Sequence, residues 1–127
     1  MSNYAKGART ERELLAIFSN KGYSVIRSAG SGVNALSPDI IAVKQGKLIA
    51  VECKAWNKSS LALDKEQYEK LQEWQNNSGF ATFVGWRMNG SGWYFIRLEE
   101  FEKGQNAYNI TKNKVLQINR RLENILY

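Results

Sequence analysis

The stretch that decides the fold is residues 37–55, SPDIIAVKQGKLIAVECKA. Two apolar runs, residues 38–44 and 47–54, flank Gln45-Gly46, and this pattern predicts a β-hairpin. Three charged residues, Asp39, Glu52 and Lys54, interrupt its most hydrophobic parts. Ionised groups are expensive to bury unless they are paired or bind a metal, so their presence asks for a chemical reason.

Side chains alternate faces along a strand. Leu48, Ala50, Glu52 and Lys54 therefore share one face, and Ile49, Val51 and Cys53 the other. Asp39 falls on the side of Ile41 and Val43. The hairpin folds the start of its first strand back near the end of its second. Asp39 and Glu52 are thus expected at the same end of adjacent strands.

Residues 6–21 upstream read as an amphipathic helix with Leu14, Leu15 and Phe18 on one face and a stop at Lys21-Gly22. Residues 23–28 read as a strand and residues 29–37, AGSGVNALS, as a flexible loop. Downstream, residues 64–77 form a second helix, with Asp64 and Gln67 spaced as a capping box. Residues 80–88 and 92–98 form another hairpin about Asn89-Gly90-Ser91. Val115, Ile118, Leu122 and Ile125 lie at helical spacing within residues 111–126. Their apolar stripe is expected to pack on the chain's own sheet, with a partner subunit as the alternative. The order α-β-β-β-α-β-β-α predicts an α/β fold, a central mixed five-stranded sheet flanked by helices, in one domain over residues 1–127.

Glu11 precedes Leu14, Leu15 and Phe18 by three, four and seven residues, which places it on the apolar side of the first helix, facing the sheet. Gln67 stands four residues before Leu71 and seven before Trp74, on the apolar side of the second. Three acids, a lysine and a glutamine are therefore expected to converge. Two close carboxylates repel unless a cation joins them. Mg²⁺ suits oxygen donors and is often held by one or two carboxylates together with a substrate phosphate. The backbone carbonyl of Cys53, between Glu52 and Lys54, is a further candidate ligand. Lys54 can orient the attacking water or stabilise charge on a phosphate. The plainer alternative has Asp39 capping a turn while Glu52 and Lys54 decorate a solvated face; the joint spacing favours the site.

Composition narrows the chemistry. The chain carries 127 residues and no histidine, which excludes histidine bases and His-type zinc sites. A single cysteine, Cys53, allows no intrachain disulfide and fits an intracellular, cytoplasmic setting. The N-terminus is polar, unlike a secretory signal, and no apolar run is long enough to span a membrane. The net charge is +6, and residues 1–60 hold nine basic residues against four acidic. Such a half suits a polyanionic partner, most simply nucleic acid, or serves only solubility. SAGSG in residues 28–32 lacks the phosphate-loop pattern, so no nucleotide cofactor is expected.

Pro38-Asp39 followed by Glu52-Cys53-Lys54 matches the PD-(D/E)xK nuclease pattern. With KGARTERELL (residues 6–15), GYSVIRSAGSG (residues 22–32) and GWYFIRLEEF (residues 92–101), the chain resembles the archaeal Holliday junction resolvase family over about residues 6–101. The resemblance implies a restriction-endonuclease-like core and a Mg²⁺-dependent homodimer, with Mn²⁺ able to substitute, that cuts four-way DNA symmetrically. It implies that Asp39 and Glu52 are metal ligands, that Glu11, the helix acid beside Arg12, is a catalytic residue expected to join them at the metal, and that Lys54 is the catalytic lysine. It matches Arg27 to a strand arginine that contacts DNA or supports the site, and Ser31 to a loop serine near the scissile phosphate. The connection from Gly30 to Asp39 is somewhat long for the family.

Lys6, Arg9, Arg12 and Arg27 are the candidate phosphate contacts, against the alternative of a solvated basic helix face. Trp74, Phe83, Phe95 and Phe101 read as core or interface, and Trp56 as a weaker candidate for touching DNA. Two other readings stay open: a different DNA-processing or repair nuclease, and a non-catalytic junction-binding module.

Overall fold

The computed structural model describes residues 3–28 and 37–127, with residues 3–7 described by backbone alone. The expected loop over residues 29–37, and Ser31 with it, lies almost wholly outside the described residues. Helix α1 (Asn3–Asn20) leads into β1 (Ser24–Arg27), β2 (Ile40–Lys44) and β3 (Lys47–Lys54). Then come β4 (Ser60–Asp64), α2 (Lys65–Ser78), β5 (Thr82–Met88) and β6 (Gly92–Arg97). The chain ends with β7 (Glu102–Lys103), β8 (Ala107–Thr111), α3 (Lys112–Ile118) and a short 3₁₀ turn, Leu122–Asn124.

The expected five-stranded mixed sheet forms in the order β1-β2-β3-β5-β6. Its hairpin turn needs two residues with positive φ, which Gln45 (50°) and Gly46 (77°) supply. Ile41 pairs with Ala50 and Val43 with Leu48, the register that carries Asp39 opposite Glu52. β3 and β5 are parallel, joined by the crossover through β4 and α2. The cap of α2 is half of the expected box: Asp64 accepts the backbone N–H of Gln67, while the Gln67 side chain goes elsewhere.

The sheet separates two cores. Leu14 and Phe18 of α1 pack on Ile40, Ala42, Ile49, Val51, Phe83 and Phe95. Leu71 and Tyr68 of α2 pack on Val84, Trp86 and Ile96. The alternation along β3 and β5 thus feeds both faces, and Glu52 and Lys54 lie on the α2 side. No helix among the described residues is long and apolar enough to cross a membrane.

Three expectations are corrected. Residues 60–64, 102–103 and 107–111 form a second, three-stranded sheet, β4-β8-β7, that had no place in the expected order. Trp74 is exposed, which removes the core alternative for it and leaves the interface one. The single helix expected over residues 111–126 stops at Ile118, because Asn119 turns left-handed (φ 51°) and caps it, donating its N–H to Val115. The apolar stripe is then divided: Val115 joins the α2-side core and Ile125 the α1-side core. Between them the chain crosses the outer edge of β6. The N–H of Phe95 donates to the Arg120 carbonyl at 2.9 Å, and Arg121 Nε donates to the Trp93 carbonyl at 2.8 Å. A free strand edge is thereby covered.

Candidate active site

The site forms at the end of the sheet where β3 finishes and β2 begins. Pro38 is buried and Asp39 immediately precedes β2. The backbone N–H of Cys53 donates to Asp39 Oδ2 at 2.8 Å, which fixes the carboxylate against β3. Glu52 is buried, at 6% exposure. Its Oε2 accepts a hydrogen bond from Gln67 Nε2 at 2.7 Å and lies 3.5 Å from Lys54 Nζ. The crossover that makes β3 and β5 parallel is what lays α2, and so Gln67, over Glu52.

Electrostatics mark the pair as strained. Burial, then the neighbouring Asp39 charge, push the Glu52 carboxyl up to about 8, against the pull of Lys54. Burial also raises Asp39, although the Cys53 N–H, Glu52 and Lys54 favour its charged form. Two carboxyls that share one buried site cannot both ionise at little cost without a cation. Glu11 is raised too, by burial and then by Asp39, while its hydrogen bond from Arg27 Nε at 2.9 Å holds it down. The expected convergence is therefore closest for Asp39, Glu52, Lys54 and Gln67. Glu11 stands beside them, paired with Arg27. No three or more Asp, Glu, His or Cys side chains form a cluster able to hold an ion among the described residues. The Cys53 side chain packs with the α1-side core, and burial raises its thiol well above the ordinary range, so it is a poor nucleophile.

The candidate DNA contacts divide. Arg12 and Arg9 are exposed on α1, and Arg27 is half-buried against Glu11. Lys6 lies in α1, in the part described by backbone alone. Trp56 is half-buried; its carbonyl accepts the Trp86 indole N–H at 2.8 Å, and its ring lies 5.3 Å from Lys54 Nζ and 5.0 Å from Lys58 Nζ.

One array escaped the sequence reading. Glu13 of α1 accepts hydrogen bonds from Arg87 Nε at 2.9 Å and from the Trp93 indole at 3.0 Å. Strand alternation puts Arg87 on the face of Phe83 and Gly85, toward α1, and Arg9 and Glu13 are spaced i,i+4. Those two signals, taken together, would have located it.

A mixed sheet with helices on both faces, and paired carboxylates with a lysine at the end of its central hairpin, defines a nuclease of the PD-(D/E)xK type. The family model "Archaeal holliday junction resolvase (hjc)" matches residues 2–126. The chain belongs to the archaeal Holliday junction resolvase family. A crossover junction endodeoxyribonuclease Hjc of Sulfurisphaera tokodaii is 32% identical in an alignment that covers 98% of this chain and 99% of that one. One of Sulfolobus acidocaldarius is 36% identical, covering 81% of this chain and 73% of that one. The solved structure of the Archaeoglobus fulgidus Hjc, a Holliday junction resolvase, superposes with a TM-score of 0.80 at 26% identity, covering 92% of each chain. A bacterial homing endonuclease shares the fold, with a TM-score of 0.52 at 15% identity, over 87% of this chain and 76% of that one.

Proposed function

We propose that this chain, a single nuclease domain, resolves four-way DNA junctions, hydrolysing phosphodiesters in two strands symmetrically as a metal-dependent homodimer. The observation that carries the reading is the buried Asp39–Glu52 pair with Lys54 at the end of β3. Nucleases of this family are in general metal-dependent, and the donor chemistry fits a hard dication. Asp39, Glu52 and the Cys53 carbonyl offer oxygen, and burial, joined at Glu52 by the Asp39 charge, raises the proton affinity of both carboxyls, which a bound cation would offset. Mg²⁺, or Mn²⁺ in its place, would be held by these groups. When bound it supplies positive charge to the phosphate and acidity to water.

The rest of the chemistry belongs to the chain. Gln67 fixes the rotamer of Glu52, and the Cys53 N–H fixes Asp39. Lys54 lies where it can orient the attacking water or offset charge that builds on the phosphate. Glu11 and Arg27, bonded to each other, form the flank of the site, with Arg12 beside them. Lys6, Arg9, Arg12 and Arg27 would contact DNA phosphates, and the family resemblance alone assigns Ser31, outside the described residues, to the scissile phosphate. Two cuts related by a two-fold axis require two sites so related, which is the ground for the homodimer.

The test compares a labelled synthetic four-way junction with a linear duplex of the same sequence, each with Mg²⁺ and with EDTA. Paired nicks in the junction alone, absent with EDTA, are expected. Equal cutting of the duplex would move the assignment to a general nuclease, and tight junction binding without product would leave a binding module.

A further inference from the structure

Outside the carboxylate site, one polar cleft is built and unused. It has a volume of about 280 Å³ and is lined by Arg9, Thr10, Glu13, Ala55, Arg87 and Asn89. Its position follows from the topology. Lys54 pairs with Trp86 across the parallel β3–β5 register, so Ala55 and Arg87 follow one residue later on adjacent strands. The cleft therefore opens directly beyond Lys54, on the α1 side of the sheet, and Asn89 adds an amide from the β5–β6 turn.

Its charges are arranged. Glu13 takes the Nε–H of Arg87 at 2.9 and 3.2 Å, and the Trp93 indole holds Glu13 from the other side at 3.0 Å. This fixes the plane of the guanidinium while using only its Nε edge. The two terminal nitrogens of Arg87 make no hydrogen bond among the described residues and remain as a fork of donors. Arg9 makes no hydrogen bond or ion pair among the described residues, yet its charge, like that of Arg87, helps hold Glu13 below the ordinary carboxylate range. Two guanidiniums against one carboxylate leave a net positive cleft. A planar guanidinium fork matches a phosphate better than it matches most other anions.

We propose that Arg9, Arg87 and Asn89 form a second phosphate subsite. It would hold a backbone phosphate of the bound DNA other than the one that is cut, with Glu13 as the positioning residue for Arg87. The inference rests on the functional reading above and extends its contact surface to the opposite flank of β3. It would set the register of the DNA on the site rather than take part in bond cleavage.

The experiment measures binding of a fluorescent four-way junction by anisotropy, in Ca²⁺ to suppress cleavage, over a series of salt concentrations. The proteins are the wild type, Arg9→Gln, Arg87→Gln, Asn89→Ala and the distant control Lys103→Gln. Each arginine that neutralises one phosphate should, when replaced, lower the slope of log K against log salt by roughly 1. The control should keep the wild-type slope. Arg9→Gln breaks no hydrogen bond of the fold, so it reads the subsite even if Arg87→Gln destabilises the protein. Wild-type slopes in both Arg9→Gln and Arg87→Gln would overturn the subsite alone. A wild type that binds junction no better than linear duplex would overturn the functional reading, and the subsite with it.

Discussion

Gln67 on α2 donates its side-chain N–H to Glu52 on β3 across 2.7 Å, tying a helix to the acid at the end of the sheet. The bond orients the carboxylate without neutralising it, the part a group outside the ligand set would play for Glu52 holding the proposed metal. Replacing Gln67 by Leu should cost ~1–2 kcal/mol of stability through the lost bond. It should also raise the Mg²⁺ concentration needed for half-maximal cleavage by about 10-fold or more. Urea unfolding and a metal titration of the cleavage rate check the two effects separately.

Glu52, raised to about 8 by burial and then by Asp39, makes the metal-free protein sensitive to alkali. Between about pH 4.5 and 8 the folded state keeps a proton that the unfolded state has lost. Stability in EDTA should therefore fall as pH rises through that window and level off above it. Asp39 and Glu11, also raised, act in the same direction. Glu13 and Glu100 are lowered, and their contribution is lost only as pH falls below about 4.5. Urea midpoints from pH 5 to 8 in EDTA should slope downward, and Glu52→Gln should flatten the slope. A wild-type curve flat over this range would contradict the buried, proton-sharing pair.

Trp56 lies with its ring 5.3 Å from Lys54 Nζ, which is also 3.5 Å from Glu52 Oε2. Removing the aromatic face with Trp56→Leu should lower the single-turnover cleavage rate by about 2- to 5-fold, the equivalent of a cation–π contact of roughly 0.5–1 kcal/mol. Trp56→Phe should recover most of the loss. Equal losses in both variants would mean that bulk, not the ring face, supports Lys54.

Neighbouring positions of β5 should respond in opposite directions. Thr82 is fully buried, and its hydroxyl has no hydrogen-bond partner among the described residues. Thr82→Val should leave stability unchanged or raise it by up to ~1 kcal/mol. Three residues on, a Cβ at Gly85 would lie 2.9 Å from Val51 Cγ1 and 3.2 Å from the Trp93 ring. Gly85→Ala should cost ~1–3 kcal/mol. Thermal unfolding of the two variants beside the wild type measures both.

The parts legible in the sequence were those governed by local periodicity. Alternation over residues 47–54 placed Glu52 and Lys54 together, and helical spacing turned Glu11 and Gln67 toward the sheet. The second sheet was not legible, because its strands are two to five residues long and pair across distant parts of the chain. The tail misled for a different reason. Val115, Ile118, Leu122 and Ile125 keep helical spacing, yet a single left-handed residue, Asn119, sends the two ends of the stripe to opposite faces of the sheet. Arg87 and Glu13 escaped because strand alternation and helical spacing each give only the face of one partner, and joining them across 74 positions needs the fold itself.

The central claim is that Asp39, Glu52 and Lys54 form the centre that cuts DNA. Its most direct test is single-turnover cleavage of a four-way junction at saturating Mg²⁺ by the wild type, Glu52→Gln and Lys54→Ala, with junction affinity measured in parallel in Ca²⁺. Both variants should bind the junction with affinity within a few-fold of the wild type and lose cleavage by about 100-fold or more, the scale of a lost electrostatic group in a catalytic site. Cleavage by either variant at the wild-type rate would contradict the claim and return these residues to a structural role.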